Sequence, residues 1–168
     1  MITALNIIIF VAAFYLQTDL LSRFTILGLV PNLMLVVVCA FALYGKTYES
    51  YIYAFAAGLV LDSIFGGPYG YHITVFMAIV FMASLISKDE DVDAPNTLGV
   101  VFVSVASVLF YGILWLIVGF GAKNFTLGGG LFSLEEAGIT MLLGLIILPQ
   151  ARKLFEFENR ATDARSIR

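Results

Sequence analysis

The stretch Ser50 to His72 reads SYIYAFAAGLVLDSIFGGPYGYH. It is an apolar run that carries one carboxylate, Asp62. It ends in the turn Gly66-Gly67-Pro68-Tyr69-Gly70, and a new apolar run follows at once. Ser50, Ala54, Gly58, Asp62 and Gly66 recur every fourth residue. In a helix that spacing sets all five on one slowly drifting face. Small residues in such a row let a second helix backbone come close, as small-xxx-small faces do in membranes. The acid lies inside the row, so whatever packs there must answer a negative charge.

Composition gives this helix its setting. Of 168 residues, 61% are hydrophobic and 12% are charged, against roughly 25% charged in soluble domains. Mean hydropathy is +0.99. A soluble domain of this length has no means of hiding so much apolar surface, so the class is an all-α, polytopic membrane protein. An outer-membrane barrel alternates apolar and polar residues in short segments; unbroken runs such as Val100 to Phe120 exclude it. The single cysteine, Cys39, sits in an apolar run and reads as a small apolar filler.

Six apolar segments are expected to span the bilayer: Ile2 to Leu21, Ile26 to Tyr44, Ser50 to Phe65, Tyr71 to Ser87, Thr97 to Phe120 and Leu134 to Pro149. Together they make one transmembrane domain over residues 1–151, with a short polar tail over 152–168. Segments two to four fall short of the roughly 20 residues that cross a bilayer, so they recruit loop residues or thin the membrane locally. With the N-terminus cytoplasmic, the inner side holds Lys46, Lys88, Arg152, Lys153, Arg160, Arg165 and Arg168, and the outer side only Arg23 and Lys123. That excess sets both termini inside. Ser133-Leu134-Glu135-Glu136 reads as a capping box opening segment six, after a glycine-rich outer loop over Phe125 to Gly130.

Polar residues within the apolar segments are few: Asn6, Gln17, Asn32, Asp62, Ser104 and Ser107 are the main ones. Asp62 lies 12 residues above Ser50, about 18 Å at 1.5 Å per residue, and Asn32 is as far from Tyr44. Asn32, Asp62 and His72 are therefore expected in one polar layer toward the outer surface, with Pro31 where its missing N–H is least needed. A carboxylate at that depth, near the C-terminal end of its own helix, is costly on two counts. Three readings of Asp62 stand. It is a structural lock that accepts hydrogen bonds from the free N–H groups around Gly70 to His72, with Asn32 as a further donor. It is a proton or substrate site. Or it meets a partner helix. A second, looser row of small residues, Ser104, Val108 and Gly112, marks segment five.

No catalytic constellation, P-loop or zinc motif is present, and no Cys/His cluster suits a metal. The expectation is a protein that is not an enzyme, with no cofactor and no nucleic-acid partner.

Two motifs suggest a family. Val30-Pro31-Asn32-Leu33-Met34-Leu35 resembles the proline, Asn or Asp, and apolar run that opens a helix in the rod shape-determining protein MreD family. Gly58-Leu59-Val60-Leu61-Asp62-Ser63 followed by Gly66-Gly67-Pro68-Tyr69-Gly70 resembles its second signature; the family often has Leu where this chain has Tyr69. The resemblance covers residues 30 to 72. It implies a bacterial inner-membrane protein of the rod, or elongation, complex. Such a protein binds the single-span protein MreC and acts with the MreB filament, RodA and a penicillin-binding transpeptidase. A dimer of the chain within that complex belongs to the same expectation. The implied helical fold is similar to that of the substrate-binding S-components of ECF vitamin transporters.

On this reading the chain is a membrane scaffold that helps position peptidoglycan synthesis. Pro31, Asn32, Gly58, Asp62, Gly66, Gly67, Pro68, Gly70 and His72 then serve structure or partner packing. The rival is a small-molecule or lipid-binding transporter subunit, which needs several of the intramembrane polar residues to line one cavity.

Overall fold

The computed structural model describes residues 4–20, 29–64, 70–86, 96–122 and 127–166. Among them the chain is all-helical: α1 (Ala4–Tyr15), running on into a π-helical turn (Leu16–Leu20), α2 (Leu33–Tyr44), α3 (Thr47–Ile64), α4 (Tyr71–Ile86), α5 (Asn96–Ala122) and α6 (Leu127–Ser166).

The centre of the bundle is α2. Every residue from Leu33 to Leu43 is buried, and α1, α3, α4, α5 and α6 all pack on it. A helix that is apolar on every side is stable only when enclosed, and LMLVVVCAFALY has no polar face to offer. With 12 residues it is about 18 Å long. Its shortness is tolerable because it meets its neighbours rather than lipid. The helix begins later than the apolar run, at Leu33 rather than Ile26. Pro31 precedes it, fully buried, and Asn32 is its N-cap, with the side chain accepting from Leu35 N–H at 2.9 Å.

The turn into α3 is tied from both sides. Gly45 donates its N–H to the Phe41 carbonyl at 2.9 Å, and Ser50 Oγ donates to the Phe41 and Lys46 carbonyls. A Cβ at Gly45 would lie 2.6 Å from the Phe41 oxygen, so the close return of the chain there needs glycine.

The last helix departs most from expectation. Instead of starting at Leu134, α6 starts at Leu127 and runs for 40 residues with Pro149 inside it. Ser133 therefore lies within the helix and cannot open a capping box. Leu127 to Gly130 form its first turn rather than a loop, and the polar tail is helical as far as Ser166. Arg152 Nε donating to Glu156 Oε1 at 2.7 Å is one i,i+4 pair that favours the extension.

Within the described residues, one helix is long and apolar enough to cross a membrane, over Leu134–Phe157 with mean hydropathy 1.4; four others carry shorter apolar stretches. The outer surface is apolar as well as the core. Ile8, Val101 and Ile146 are each more than 60% exposed, a pattern that lipid tolerates and water does not.

Candidate functional site

The outer part of the small row on α3, Gly58 and Asp62, faces α4, while Ser50 at its inner end bonds α2. Ser50, Ala54, Gly58 and Asp62 are all buried. A Cβ at Gly58 would meet Ile73 Cα, lie 2.5 Å from Ile73 N and 2.9 Å from His72 C. The backbone of α4 thus lies directly on Gly58, and the next turn of α3 brings Asp62 to the start of α4.

There the carboxylate is enclosed by donors. Oδ1 accepts the His72 N–H at 3.0 Å and faces His72 Nδ1 at 2.7 Å. Oδ2 accepts the Gly70 N–H at 3.0 Å and the Ile73 N–H at 3.4 Å. These N–H groups belong to the first turn of α4 and have no intrahelical partners; a carboxylate there satisfies them and meets the positive end of the helix dipole. Gly70 reaches this geometry at φ 90°, a left-handed conformation that favours glycine. The Asp62 side chain is 1% exposed and that of His72 16%. The imidazole lies between Tyr71, Phe76 and Phe110, with ring centroids 5.2 to 6.2 Å away. Beside it, the Tyr71 hydroxyl donates to the Phe110 carbonyl, which ties α4 to α5. Gly66, Gly67 and Pro68 lie outside the described residues.

Asn32 does not join this group. No hydrogen bond links it to Asp62, because its side chain is committed to capping its own helix. It belongs to a second polar cluster that stitches the start of α2 to its neighbours. Asn32 N–H donates to Thr140 Oγ1 of α6 at 3.0 Å, and Leu33 N–H to Gln17 Oε1 of the π-helical turn at 2.6 Å. Tyr111 Oη of α5 approaches Thr140 Oγ1 at 3.4 Å. The single polar layer foreseen from residue heights is thus two separate clusters. Thr140 was missed from sequence, although it is the one hydroxyl between Leu134 and Pro149, and an isolated polar residue in an apolar run is itself a signal.

The row on α5 is not an internal packing face. Val108 is 50% exposed, and a Cβ at Gly112 would meet nothing. The residues of α5 that face inward are Val103, Ala106, Ser107, Phe110 and Tyr111. Val103 packs on Gly144 of α6, where a Cβ would lie 2.7 Å from its Cγ1.

Cavities border the bundle. An apolar groove of about 720 Å³ separates α4 from α5, lined by residues such as Ala78, Met82, Phe102, Ala106 and Leu109. A smaller cavity of about 150 Å³ lies among α1, α2 and α6. Of the six intramembrane polar residues, Asn6 alone lines either of them. Among the described residues no group of His, Cys, Asp and Glu is arranged to hold a metal ion.

A lipid-compatible surface around the sealed α2, with the one acid of the α3 row consumed by the start of α4, defines a helical membrane-protein bundle. The profile of the rod shape-determining protein MreD matches residues 1–156, and the chain belongs to that family. Membership gives it a part in rod shape determination and places it among membrane proteins. None of the curated proteins and none of the solved structures matches the chain.

Proposed function

We propose that the chain is a non-enzymatic scaffold of the rod complex, with six transmembrane helices and both termini cytoplasmic. On this reading it binds the transmembrane helix of MreC and helps position the peptidoglycan synthases, RodA and a penicillin-binding transpeptidase among them. One observation carries the preference over a transporter subunit. The polar side chains of the two clusters, Gln17, Asn32, Asp62, His72 and Thr140, are spent on backbone groups and on one another, and none of these five lines a cavity; Tyr71 and Thr74, which border the α4–α5 groove, are spent on the Phe110 and Gly70 carbonyls. A carrier of polar small molecules needs the reverse arrangement. The outer faces that remain, above all the α4–α5 groove, are apolar and suit a neighbouring helix.

In this reading Asp62 is a lock: it fixes α4 on α3 and transfers nothing. The test is purification of the tagged chain from membranes under mild detergent, together with the shape of cells that lack it. MreC is expected to copurify in near-stoichiometric amount, and cells without the chain are expected to round up. A chain that purifies alone, with normal rods in its absence, would overturn the scaffold reading.

A further inference from the structure

Among the described residues several buried polar groups of the bundle lack a partner, Tyr44 Oη and Ser107 Oγ among them, but Asn6 is the one that borders a cavity. It is 3% exposed, and among the described residues its carboxamide has no hydrogen-bond partner. An amide has two donors and an acceptor to satisfy, and buried polar groups are satisfied as a rule. Asn6 borders the cavity of about 150 Å³. Across it stands Gln150, an exposed residue one position beyond Pro149. Ile9, Val37, Ala40, Phe41 and Ile147 supply apolar walls. Because α2 is enclosed and both α1 and α6 pack on it, the mouth lies between α1 and α6, where Leu154 is 43% exposed.

Three occupants compete. Water fits by volume, at about five molecules, but each needs two to four polar partners, and the walls offer two carboxamides. A phosphate headgroup needs a cation, and none lines the cavity. On α6 nearby, Arg152 is paired with Glu156. The third occupant is a side chain from a neighbouring helix. A cavity of this size accepts a group as large as benzene, which covers any single neutral polar side chain. Such side chains bind transmembrane helices together by hydrogen bonds across the interface.

We propose that this cavity is a socket for one Asn, Gln, Ser or Thr side chain on an otherwise apolar transmembrane helix of a partner protein. Asn6 makes the hydrogen bonds at the base, and Gln150 closes the rim. The proposal rests on the scaffold reading and names a surface for it apart from the α4–α5 groove.

The test uses the full chain in membranes. A photo-crosslinking amino acid is placed at Leu154, on the socket, and separately at Val105, in the α4–α5 groove. Asn6→Leu and Asn6→Gln are compared for retention of the copurifying partner, with membrane level and melting temperature recorded. The Leu154 probe is expected to join a membrane-spanning peptide within a turn of an Asn, Gln, Ser or Thr. Asn6→Leu is expected to lower retention roughly three- to thirty-fold, the range for an interhelical hydrogen bond, while the protein stays folded. Asn6→Gln restores part of it. Adducts to lipid alone at Leu154, or to a second copy of the chain, overturn the proposal. So does unchanged retention in Asn6→Leu. If the partner binds normally but crosslinks only through Val105, the socket falls and the scaffold stands. If no membrane partner copurifies with the unaltered chain, both fall. A loss of membrane level in Asn6→Leu would place Asn6 in folding, and it too counts against the socket.

Discussion

Replacing Asp62 separates a lock from a proton carrier, and the geometry sets the size of each effect. The carboxylate meets four donors, two on each oxygen. An asparagine has one acceptor, so one side of the group must change. The less costly rotamer keeps its oxygen toward Gly70 and Ile73 and turns its NH2 toward His72. His72 Nδ1 answers by becoming the acceptor, since the neutral imidazole has two tautomers. Only the His72 N–H then lacks a partner. With that group unpaired and the charge-assisted part of the other bonds lost, Asp62→Asn is expected to cost about 1–3 kcal/mol. Asp62→Leu removes every acceptor. It also removes a buried charge, which offsets part of the loss, but three backbone N–H groups of a partly buried helix start lose their acceptor. At about 1–3 kcal/mol each, the sum approaches the whole 5–15 kcal/mol stability of a typical domain.

The assay is membrane level and thermal melting in mild detergent, with cell shape scored in parallel. The expected order is native above Asn, with Leu failing to accumulate. Equal stability of the Asn and Leu variants would refute the lock, because the two are similar in size and leucine lacks every hydrogen-bonding group that asparagine offers the helix start. An Asn variant that melts like the native chain and binds its partner, yet leaves cells round, would assign Asp62 to proton transfer instead.

The remaining expectations concern packing, the second cluster and topology. Gly58→Ala should already destabilise by about 1–3 kcal/mol, as overpacking does, because its Cβ meets the α4 backbone; Gly112→Ala should be close to neutral in the same melt. Thr140→Val leaves the Asn32 N–H unpaired at a cost of about 1–3 kcal/mol, and Thr140→Ser recovers most of it; equal melting of the two would remove Thr140 from the stitch. A cysteine at position 91 should be shielded from an impermeant thiol reagent in intact cells and one at position 124 labelled, as the Lys/Arg distribution requires; the opposite pattern inverts the orientation.

What the sequence made legible were features written in local spacing. The row on α3 from Ser50 to Asp62, the glycine at position 70 and the proline before α2 are all short-range signals, and the described backbone matches them; Gly66 to Tyr69 of the expected turn lie outside it. What stayed illegible depended on which neighbour a residue meets. Asn32 and Asp62 were placed at one height by counting residues, but height says nothing of azimuth, and Asn32 turned to its own helix and to Thr140, 108 positions away. The row on α5 had the same local pattern as that on α3, yet it faces outward. Spacing alone does not tell an internal contact from a free face. The start of α6 was misplaced because Ser133 and Glu136 suit a cap equally well wherever the chain begins to wind; the three glycines at 128–130 argued for a loop, and the long helix overrode their weak propensity.

The clasp around Asp62 also bears on the surface open to partners, although the acid itself is sealed. His72 and Tyr71 are adjacent, so the residue held by Asp62 fixes the one that bonds the Phe110 carbonyl of α5. Tyr71 lines the α4–α5 groove at its Gly70 end. Beyond that point the two helices are separated by the groove itself, so this hydroxyl is a local tie that sets their spacing. Tyr71→Phe keeps the ring and its aromatic neighbours and removes the tie alone, at a net cost of about 1 kcal/mol, so the variant should remain folded. Spin labels at Met82 and Val105, which are 52% and 53% exposed on opposite walls, report the width of the groove by pulsed distance measurement. The distribution is expected to broaden in Tyr71→Phe and, by the same route, in Asp62→Asn. If both variants leave it unchanged, the clasp serves stability only, and the groove owes its width to the packing of α4 and α5 on α2.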